Sequence, residues 1–347
     1  MTSASGLELS ADYHSEVVAP LLERRLPGLP HAAARLGSGS DVLGFDDAQS
    51  RDHDWGLRLT LLVEEEGAAD EVDALLEREL PASWRGLPTR FATTWEPVVR
   101  QRVEVARAAD FAASRVGIAP GRLAADAPLD LADWLQLTGQ AALEVTAGPV
   151  FHDGTGALTA IRARLAQYPE DVRRYALGAD WTRIGQELPD VGRAGLRGDE
   201  DGSAVIAARH VRTLLHLAHL LHRRWAPYGK WLARSAAALP GGQGLREAAL
   251  AVLRARDWRT RQRALGTAIA RAAAAQGRVG LPTLEPAVEP FFDRPHLGLR
   301  GLPELLAEGI TDPEVRALTP GIGTAEQISD HVSVLVDPVL RRRLVGG

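Results

Sequence analysis

The stretch GSGSDVLGFDDAQSRDHDWG, residues 37–56, places glycines and serines ahead of a pair of aspartates. Eleven residues separate Ser40 from Asp52, and Asp54 follows two residues later. Glycine lets a backbone approach a phosphate closely, and a serine hydroxyl with nearby amides holds anionic oxygens. Two carboxylates two residues apart on one strand face reach the same one or two Mg²⁺ ions. The pattern therefore predicts a site for a polyphosphate and its metal.

This order of residues resembles the signature of the polymerase-beta-like nucleotidyltransferase superfamily, which is Gly-Ser, a spacer, and Asp-x-Asp or Asp-x-Glu. The resemblance implies that Gly39 and Ser40 hold phosphate and that Asp52 and Asp54 bind Mg²⁺. It also implies that ATP is a co-substrate. The sequence departs from the superfamily at His53, where an apolar residue is usual, and we interpret His53 as a structural histidine.

Three later motifs extend the resemblance over most of the chain. They are DWL at 133–135, VFHDGTGAL at 150–158 and APYGKWL at 226–232. Together with the first stretch they look similar to a bacterial subfamily that has a nucleotidyltransferase-like first domain and a helical C-terminal domain.

Other residues of the first stretch have simpler interpretations. The turn has an alternative register that uses Gly37 and Ser38. Three further aspartates are interpreted as parts of a solvated acidic loop, namely Asp41, Asp46 and Asp47.

The superfamily adds a third carboxylate from a neighbouring strand, as a metal ligand or as the general base for the incoming hydroxyl. Glu104 is our choice because it alternates with valines in RVEVA, which is typical of a short strand. Asp110 and Asp153 are the alternatives, and a glutamate in this setting also fits a solvent-facing position.

A single lysine, Lys230, stands among 40 basic residues. An ammonium is a compact point charge that suits polyphosphate, whereas guanidinium is a planar fork. By resemblance to aminoglycoside nucleotidyltransferases, Lys230 would contact the triphosphate and Tyr228 would hydrogen-bond or stack near the nucleotide. The alternative is a helix-start lysine in water, with Tyr228 and Trp231 packing a helical bundle.

Two weaker candidates lie in the second half of the chain. Asp199 and Glu200 would either attract a cationic acceptor or favour the positive end of the following helix. Four histidines on that helix suggest zinc less well than interfacial or surface positions; they are His210, His216, His219 and His222.

The elements that position these residues change character along the chain. The segment DWGLRLTLLV (54–63) has apolar residues at its odd positions, and its even positions include Asp54, Gly56, Arg58 and Thr60. This alternation predicts a strand that carries Asp52 and Asp54 on one face and the apolar row on the other. Strand patterns nearly vanish after residue 166. We therefore predict an α+β fold, with a mixed sheet and helices in residues 1–168 and an all-α helical bundle in residues 169–347.

Composition excludes several classes of function. A net charge of −5 gives no global attraction to nucleic acid, and no apolar run is long enough for a membrane span. The first residues lack the basic start and apolar core of a secretory signal, so we expect a cytoplasmic protein. The sequence has no P-loop, no G-x-S-x-G elbow and no cysteine.

The sequence predicts an Mg²⁺-dependent enzyme that transfers a nucleoside monophosphate, AMP from ATP, to a hydroxyl of a small molecule or protein. A nucleotide-binding regulator without turnover and a protein-interaction module are the alternatives.

Overall fold

The computed structural model describes residues 5–51 and 54–346. Its strands, in chain order, are β1 (His31–Ala34), β2 (Leu59–Val63), β3 (Ser83–Trp84), β4 (Leu87–Pro88), β5 (Arg90–Phe91), β6 (Arg100–Gln101), β7 (Val103–Ala106), β8 (Val150–Asp153), β9 (Val288–Pro290) and β10 (Leu297–Leu299).

The α-helices are α1 (Gly6–Tyr13), α2 (Ala19–Arg25), α3 (Ala68–Glu79), α4 (Ala108–Val116), α5 (Pro120–Ala124), α6 (Leu131–Gln136), α7 (Gly139–Thr146), α8 (Ala157–Arg164), α9 (Glu170–Leu196), α10 (Glu200–Leu221), α11 (Gly229–Ala237), α12 (Gly242–Arg254), α13 (Trp258–Arg278), α14 (Leu302–Glu308), α15 (Pro313–Arg316), α16 (Ala325–Ile328), α17 (Val332–Val336) and α18 (Pro338–Val345). A π-helical turn, His14–Val18, joins α1 to α2, and a 3-10 turn covers Ala48–Ser50.

The described residues form two compact units. The first comprises the chain up to Leu129 together with Ala141–Ala166, and the second comprises Asp130–Gln140 and the chain from Gln167 onward. The predicted division into 1–168 and 169–347 has a single boundary and stays a prediction. The last crossing between the observed units lies between Ala166 and Gln167.

A mixed four-stranded sheet forms the centre of the first unit, in the order β7-β2-β1-β8. Strand β1 runs antiparallel to β2 and β8, whereas β2 and β7 are parallel. The C-terminal end of β1 and the N-terminal ends of β2 and β7 therefore lie side by side. We call this end of the strands, where the chain enters β2 and β7 and leaves β1, the loading edge. The α+β class predicted from the sequence is confirmed.

Strand β2 contributes apolar side chains to the core of the first unit, and it is shorter than the sequence predicted. Leu59, Leu61 and Val63 join one apolar core with residues of α1, α2 and α3, as their alternation indicated. The strand begins at Leu59, however, and not at residue 54. Its partners end there, because the last residue of β1 pairs with Thr60 and the first residue of β7 pairs with Leu59.

The second unit is built mainly from long helices. Helices α9, α10, α12 and α13 bury apolar faces that include Trp181, Leu214 and Ile269. The antiparallel pair β9–β10 is a small addition to this helical part. None of the helices in the described ranges combines the length and apolar character needed to cross a lipid bilayer.

Candidate functional site

The glycine–serine loop (residues 37–40) follows β1 at the loading edge and encloses a buried ion pair. Arg35 donates from Nε to Asp41 Oδ2 at 2.7 Å and from Nη2 to Asp41 Oδ1 at 3.0 Å. Arg35 also donates to the carbonyl oxygen of Ser38 at 3.2 Å. The interpretation of Asp41 as a solvated residue was therefore wrong: its side chain is 12% exposed and is neutralised by a guanidinium.

Gly39 is required by this arrangement. Its φ of +148° lies in a region that favours glycine, and a Cβ at this position would lie 2.1 Å from Asp41 Oδ1. At the other end of the loop the amide of Gly37 donates to the carbonyl oxygen of Glu144 at 2.8 Å. The ion pair and this anchor hold the loop in place without a ligand.

The two serines of the loop keep their hydroxyls available. Ser38 is exposed and Ser40 is half-buried. Neither hydroxyl makes a hydrogen bond to another residue in the part of the chain that the structure describes. The loop therefore offers polar groups to a ligand in either register that the sequence allowed.

Asp54 lies in a turn before β2. The backbone amide of Thr94 donates to Asp54 Oδ1 at 2.6 Å, and the Thr94 hydroxyl donates to Oδ2 at 2.9 Å. Its predicted partner Asp52 lies outside the described residues, as does His53, which was interpreted as a structural histidine. The position of Asp54 on a strand was wrong, because β2 has no neighbouring strand to pair with before Leu59.

Glu104 occupies the second position of β7, opposite Thr60 of β2. Its side chain is 46% exposed, and Arg115 of α4 donates from Nη2 to both carboxylate oxygens at 2.6 and 2.9 Å. The strand assignment of RVEVA is confirmed. The carboxylate lies near the loading edge but already carries a cationic partner.

Arg58 interacts electrostatically with carboxylates from three segments of the candidate site. Burial lowers the pKa of its guanidinium to about 10, and the positive charge of Arg35 acts in the same direction. The carboxylates of Asp41, Glu104 and Asp54 oppose both effects. Three carboxylates from different segments therefore lie within electrostatic range of one partly buried cation.

The side chain of Arg58 makes no hydrogen bond or ion pair with residues 5–51 or 54–346. Its backbone is fixed, because the hydroxyl of Ser10 in α1 donates to the Arg58 carbonyl oxygen at 2.5 Å. Burying a cation without a direct partner costs free energy unless an anion meets it. A phosphate group is an anion of suitable chemistry.

The two alternatives to Glu104 are placed differently. Asp153 ends β8 opposite Ala32, away from the loading edge. Burial raises its pKa, but hydrogen bonds from Thr159, Gly156 and Thr155 outweigh burial and leave the pKa below its ordinary value. Asp153 thus organises the start of α8. Asp110 is exposed in the first turn of α4.

Two of the three carboxylates predicted to bind Mg²⁺, Asp54 and Glu104, lie within the described residues. Asp54 and Glu104 offer oxygen donors, which Mg²⁺ prefers, on segments at one edge of the sheet. Among residues 5–51 and 54–346 no group of three or more histidines, aspartates and glutamates is arranged to hold a metal ion. Carboxylate oxygens fit the ligand preference of Mg²⁺. Asp52, the third predicted ligand, lies outside the described residues.

Tyr228 and Lys230 lie in the second unit, at the start of α11. Tyr228 immediately precedes the helix and is 46% exposed, so it does not pack the bundle as the alternative interpretation expected. Lys230 is exposed, and its Nζ lies 4.9 Å from the centroid of the Trp231 ring. Their contacts with a nucleotide stay predictions.

Asp199 and Glu200 have structural partners. Asp199 accepts from the amide of Gly202 at 2.7 Å and so caps α10. Glu200 accepts from Arg261 at 3.0 Å and from the amide of Trp258 at 3.2 Å. Their interpretation as residues that favour the helix start agrees with these contacts.

The histidines of α10 are more buried than expected, and one has acidic partners that the sequence did not indicate. His216 Nδ1 donates to Asp180 Oδ2 at 2.7 Å, and Nε2 lies 3.4 Å from Glu326 Oε1. Burial lowers the pKa of His216, but these carboxylates outweigh burial and raise the pKa to about 10. The amide of Gly139 donates to both oxygens of Glu326 at 3.1 Å. His219 bonds Ser235 Oγ at 2.9 Å instead.

Sequence reasoning missed Arg35, Arg58, Arg115 and Thr94 at the loading edge. Arg58 was visible as a basic residue at an even position of the predicted strand, two residues before Thr60. Arg35 and Arg115 carried no such signal, because arginine is common throughout this chain. Thr94 lies 40 residues from its partner Asp54.

The chain was compared with known proteins. A family model described as a domain of unknown function (DUF4037) matches residues 134–232, which is less than half of the chain. No curated protein matches the sequence. Among solved structures, the chain is similar to a nucleotidyltransferase-like protein from Exiguobacterium sibiricum 255-15, with 10% identity over 78% of this chain and 77% of that one. The TM-score is 0.33, and a similarity at this level carries no weight for activity.

Proposed function

We propose that the first unit binds a nucleoside triphosphate at the loading edge and that the protein transfers a nucleoside monophosphate to a hydroxyl-bearing acceptor. AMP from ATP is the transferred group we expect. The observation that carries the proposal is Arg58, a partly buried cation without a direct partner in the described chain, placed in range of Asp54 and Glu104 beside the glycine–serine loop.

Each residue has a role that its surroundings support. The amides and hydroxyls of Gly39 and Ser40 hold phosphate oxygens, and Arg58 neutralises part of the triphosphate charge. The acceptor hydroxyl attacks the α-phosphorus, a new P–O bond forms, and the bond to the β-phosphate oxygen breaks with loss of pyrophosphate. Glu104 takes the proton of the attacking hydroxyl.

Asp52, Asp54 and Glu104 are the residues that would hold Mg²⁺. When bound, the metal supplies neutralisation of the charge on the triphosphate and on the departing pyrophosphate. Tyr228 and Lys230 remain the predicted nucleotide contacts of the second unit.

The test is release of pyrophosphate from ATP in the presence of Mg²⁺ and a panel of hydroxyl-bearing acceptors. Asp54→Asn keeps an oxygen acceptor for Thr94 but removes the negative charge. We expect a loss of at least about 100-fold in turnover, because a metal ligand supplies several kcal/mol of charge stabilisation. The control is Asp70→Asn, an exposed aspartate of α3. Equal activity in both variants would contradict the proposal.

One observation favours a second candidate function, a nucleotide-binding regulator without turnover. Arg115 holds both oxygens of Glu104, so the third carboxylate is already neutralised. A regulator would bind ATP and gain thermal stability from it, yet release no pyrophosphate with any acceptor.

A further inference from the structure

The loop between β5 and β6, residues 92–99, presents an unusual apolar surface. Trp95 is 89% exposed, and Val98 and Val99 are 60% and 65% exposed. Adjoining exposed apolar side chains on a soluble unit mark a contact surface more often than isolated ones do. We call this segment the Trp95 loop.

The Trp95 loop has an ordered backbone. Arg102 donates to the carbonyl oxygens of Phe91 at 2.7 Å, Glu96 at 3.0 Å and Val98 at 2.7 Å. The amide of Thr93 donates to the carbonyl oxygen of Glu96 at 2.9 Å and closes a turn around Trp95. The indole is thus held out on a fixed turn, which reduces the entropy lost when a ligand binds.

The Trp95 loop is bonded to the proposed active site. Thr94, the residue before Trp95, donates from its amide and its hydroxyl to the two oxygens of Asp54. Consecutive Cα atoms are about 3.8 Å apart, so the Cα of Trp95 lies that distance from the Cα of Thr94, the residue that contacts Asp54. A ligand whose phosphates lie at Asp54 would bring its remaining atoms within reach of the indole.

We propose that Trp95 is the platform on which the base of the bound nucleotide stacks. This inference rests on the proposed function, because it takes the phosphates to lie at the loading edge. The occupant follows from chemistry: the base of a nucleoside triphosphate is planar and aromatic, and either of its faces can stack on an exposed indole. Stacking of a base on an aromatic side chain changes affinity by about 5–150-fold and tolerates any base.

Binding of two probes tests the platform. Calorimetry with ATP and with inorganic tripolyphosphate, both with Mg²⁺, is performed on the full chain, on Trp95→Ala and on Trp95→Phe. We expect Trp95→Ala to weaken ATP binding by about tenfold and to leave tripolyphosphate binding unchanged, with Trp95→Phe within about threefold of the parent chain. The control is Phe292→Ala, an aromatic residue of the second unit that is 83% exposed.

The outcomes separate the two proposals. If Trp95→Ala binds ATP as the parent chain does, the indole touches another ligand such as the acceptor, and the platform is refuted while the proposed function stands. If the variant loses both probes equally, Trp95 supports the loop and does not stack. If the parent chain binds neither probe, the proposed function fails and the platform fails with it. Thermal unfolding of each variant verifies that the fold is retained.

Discussion

Gly39 is the residue at which the glycine–serine loop tolerates least change. In Gly39→Ala the new Cβ meets Asp41 Oδ1 and lies 2.8 Å from Arg35 Nη2, so the buried ion pair must separate. We expect a loss of about 3 kcal/mol in the free energy of unfolding, since a broken buried pair leaves uncompensated charge. Urea denaturation followed by circular dichroism measures it.

Gly44 provides the matched control for that substitution. It also has a positive φ, +70°, but a Cβ added at this position would have nothing within 4 Å of it. Gly44→Ala therefore reports backbone strain alone, about 1 kcal/mol. Equal losses in the two variants would show that the contact with Asp41 contributes nothing.

Substitution of Arg58 tests whether this residue binds a ligand or stabilises the fold. Replacing it with methionine removes a partly buried charge and no hydrogen bond within the described ranges, so we expect the free energy of unfolding to stay within about 1 kcal/mol of the parent chain. We expect ATP affinity to fall by about tenfold, because a charge-assisted contact to phosphate is lost. Calorimetry and thermal unfolding measure both. A large loss of stability with unchanged affinity would reverse the assignment.

At the scale of single residues, the sequence indicated where carboxylates concentrate but not which cations meet them. Spacing along the chain placed Ser40 and Asp54 in one motif. The cations Arg35, Arg58 and Arg115 come from three segments, and their positions beside the carboxylates depend on the sheet register and on helix α4. A single sequence carries no signal for such pairings when almost every basic residue is an arginine.

At the scale of elements, alternation correctly predicted which side chains of β2 join the core, but the predicted length of the strand was wrong. Burial of Leu59, Leu61 and Val63 in one core follows from the period of two. The start of the strand depends on where neighbouring strands end, which the pattern of β2 alone does not contain. Residues 54–58 were therefore expected to continue the strand. Gly56 instead packs closely against the Phe91 ring, and a Cβ added to Gly56 would lie 2.7 Å from that ring.

Arg115 of helix α4 forms an ion pair with Glu104 of β7. Its ion pair with Glu104 is partly solvated, with 28% and 46% of the two side chains exposed. Arg115→Gln should therefore cost less than about 1 kcal/mol of stability. In an enzyme that uses Glu104 as base, release of this carboxylate should raise pyrophosphate production, whereas Glu104→Gln should abolish it. A fall in production for Arg115→Gln would assign Arg115 to the ligand instead.

At the scale of the whole molecule, the change from mixed to helical structure was predictable because strand patterns disappear after residue 166. The excursion of Asp130–Gln140 into the second unit was not, since it depends on long-range contacts. One example is the hydroxyl of Tyr168, which donates to the carbonyl oxygen of Leu137 at 3.0 Å. Buried titratable residues in each unit then give the molecule two opposite dependences on pH.

The first unit should lose stability in acid. Burial, and secondly the charges of His31 and His152, lower the pKa of His14 from 6.5 to about 4. The unfolded chain therefore takes up a proton near pH 6.5 while the folded unit resists until about pH 4. Stability falls over this window by up to about 3 kcal/mol. Urea unfolding between pH 7 and 4 should show a smaller slope in His14→Phe; an unchanged slope would exclude His14 as a source.

The second unit should lose stability in alkali, because the pKa of His216 is raised to about 10 by Asp180 and Glu326 against the effect of burial. A group with a raised folded pKa stabilises fully below its unfolded value of 6.5, and the contribution disappears as the pH rises through 10. Urea unfolding between pH 6 and 10 should therefore show a falling midpoint. Asp180→Asn should lower the midpoint at pH 6 and flatten this slope.

The control for that substitution is Asp190→Asn, which changes an aspartate of the same helix that pairs with Arg193 at the surface. Its pair is exposed, so both the midpoint and the alkaline slope should match the parent chain. If Asp180→Asn kept the full slope, the proton released above pH 6.5 would come from another group and the charge of His216 would not be linked to folding. If both variants flattened the slope, general surface charge would be responsible, since Asp180 contacts the buried imidazole whereas Asp190 pairs with Arg193 at the surface.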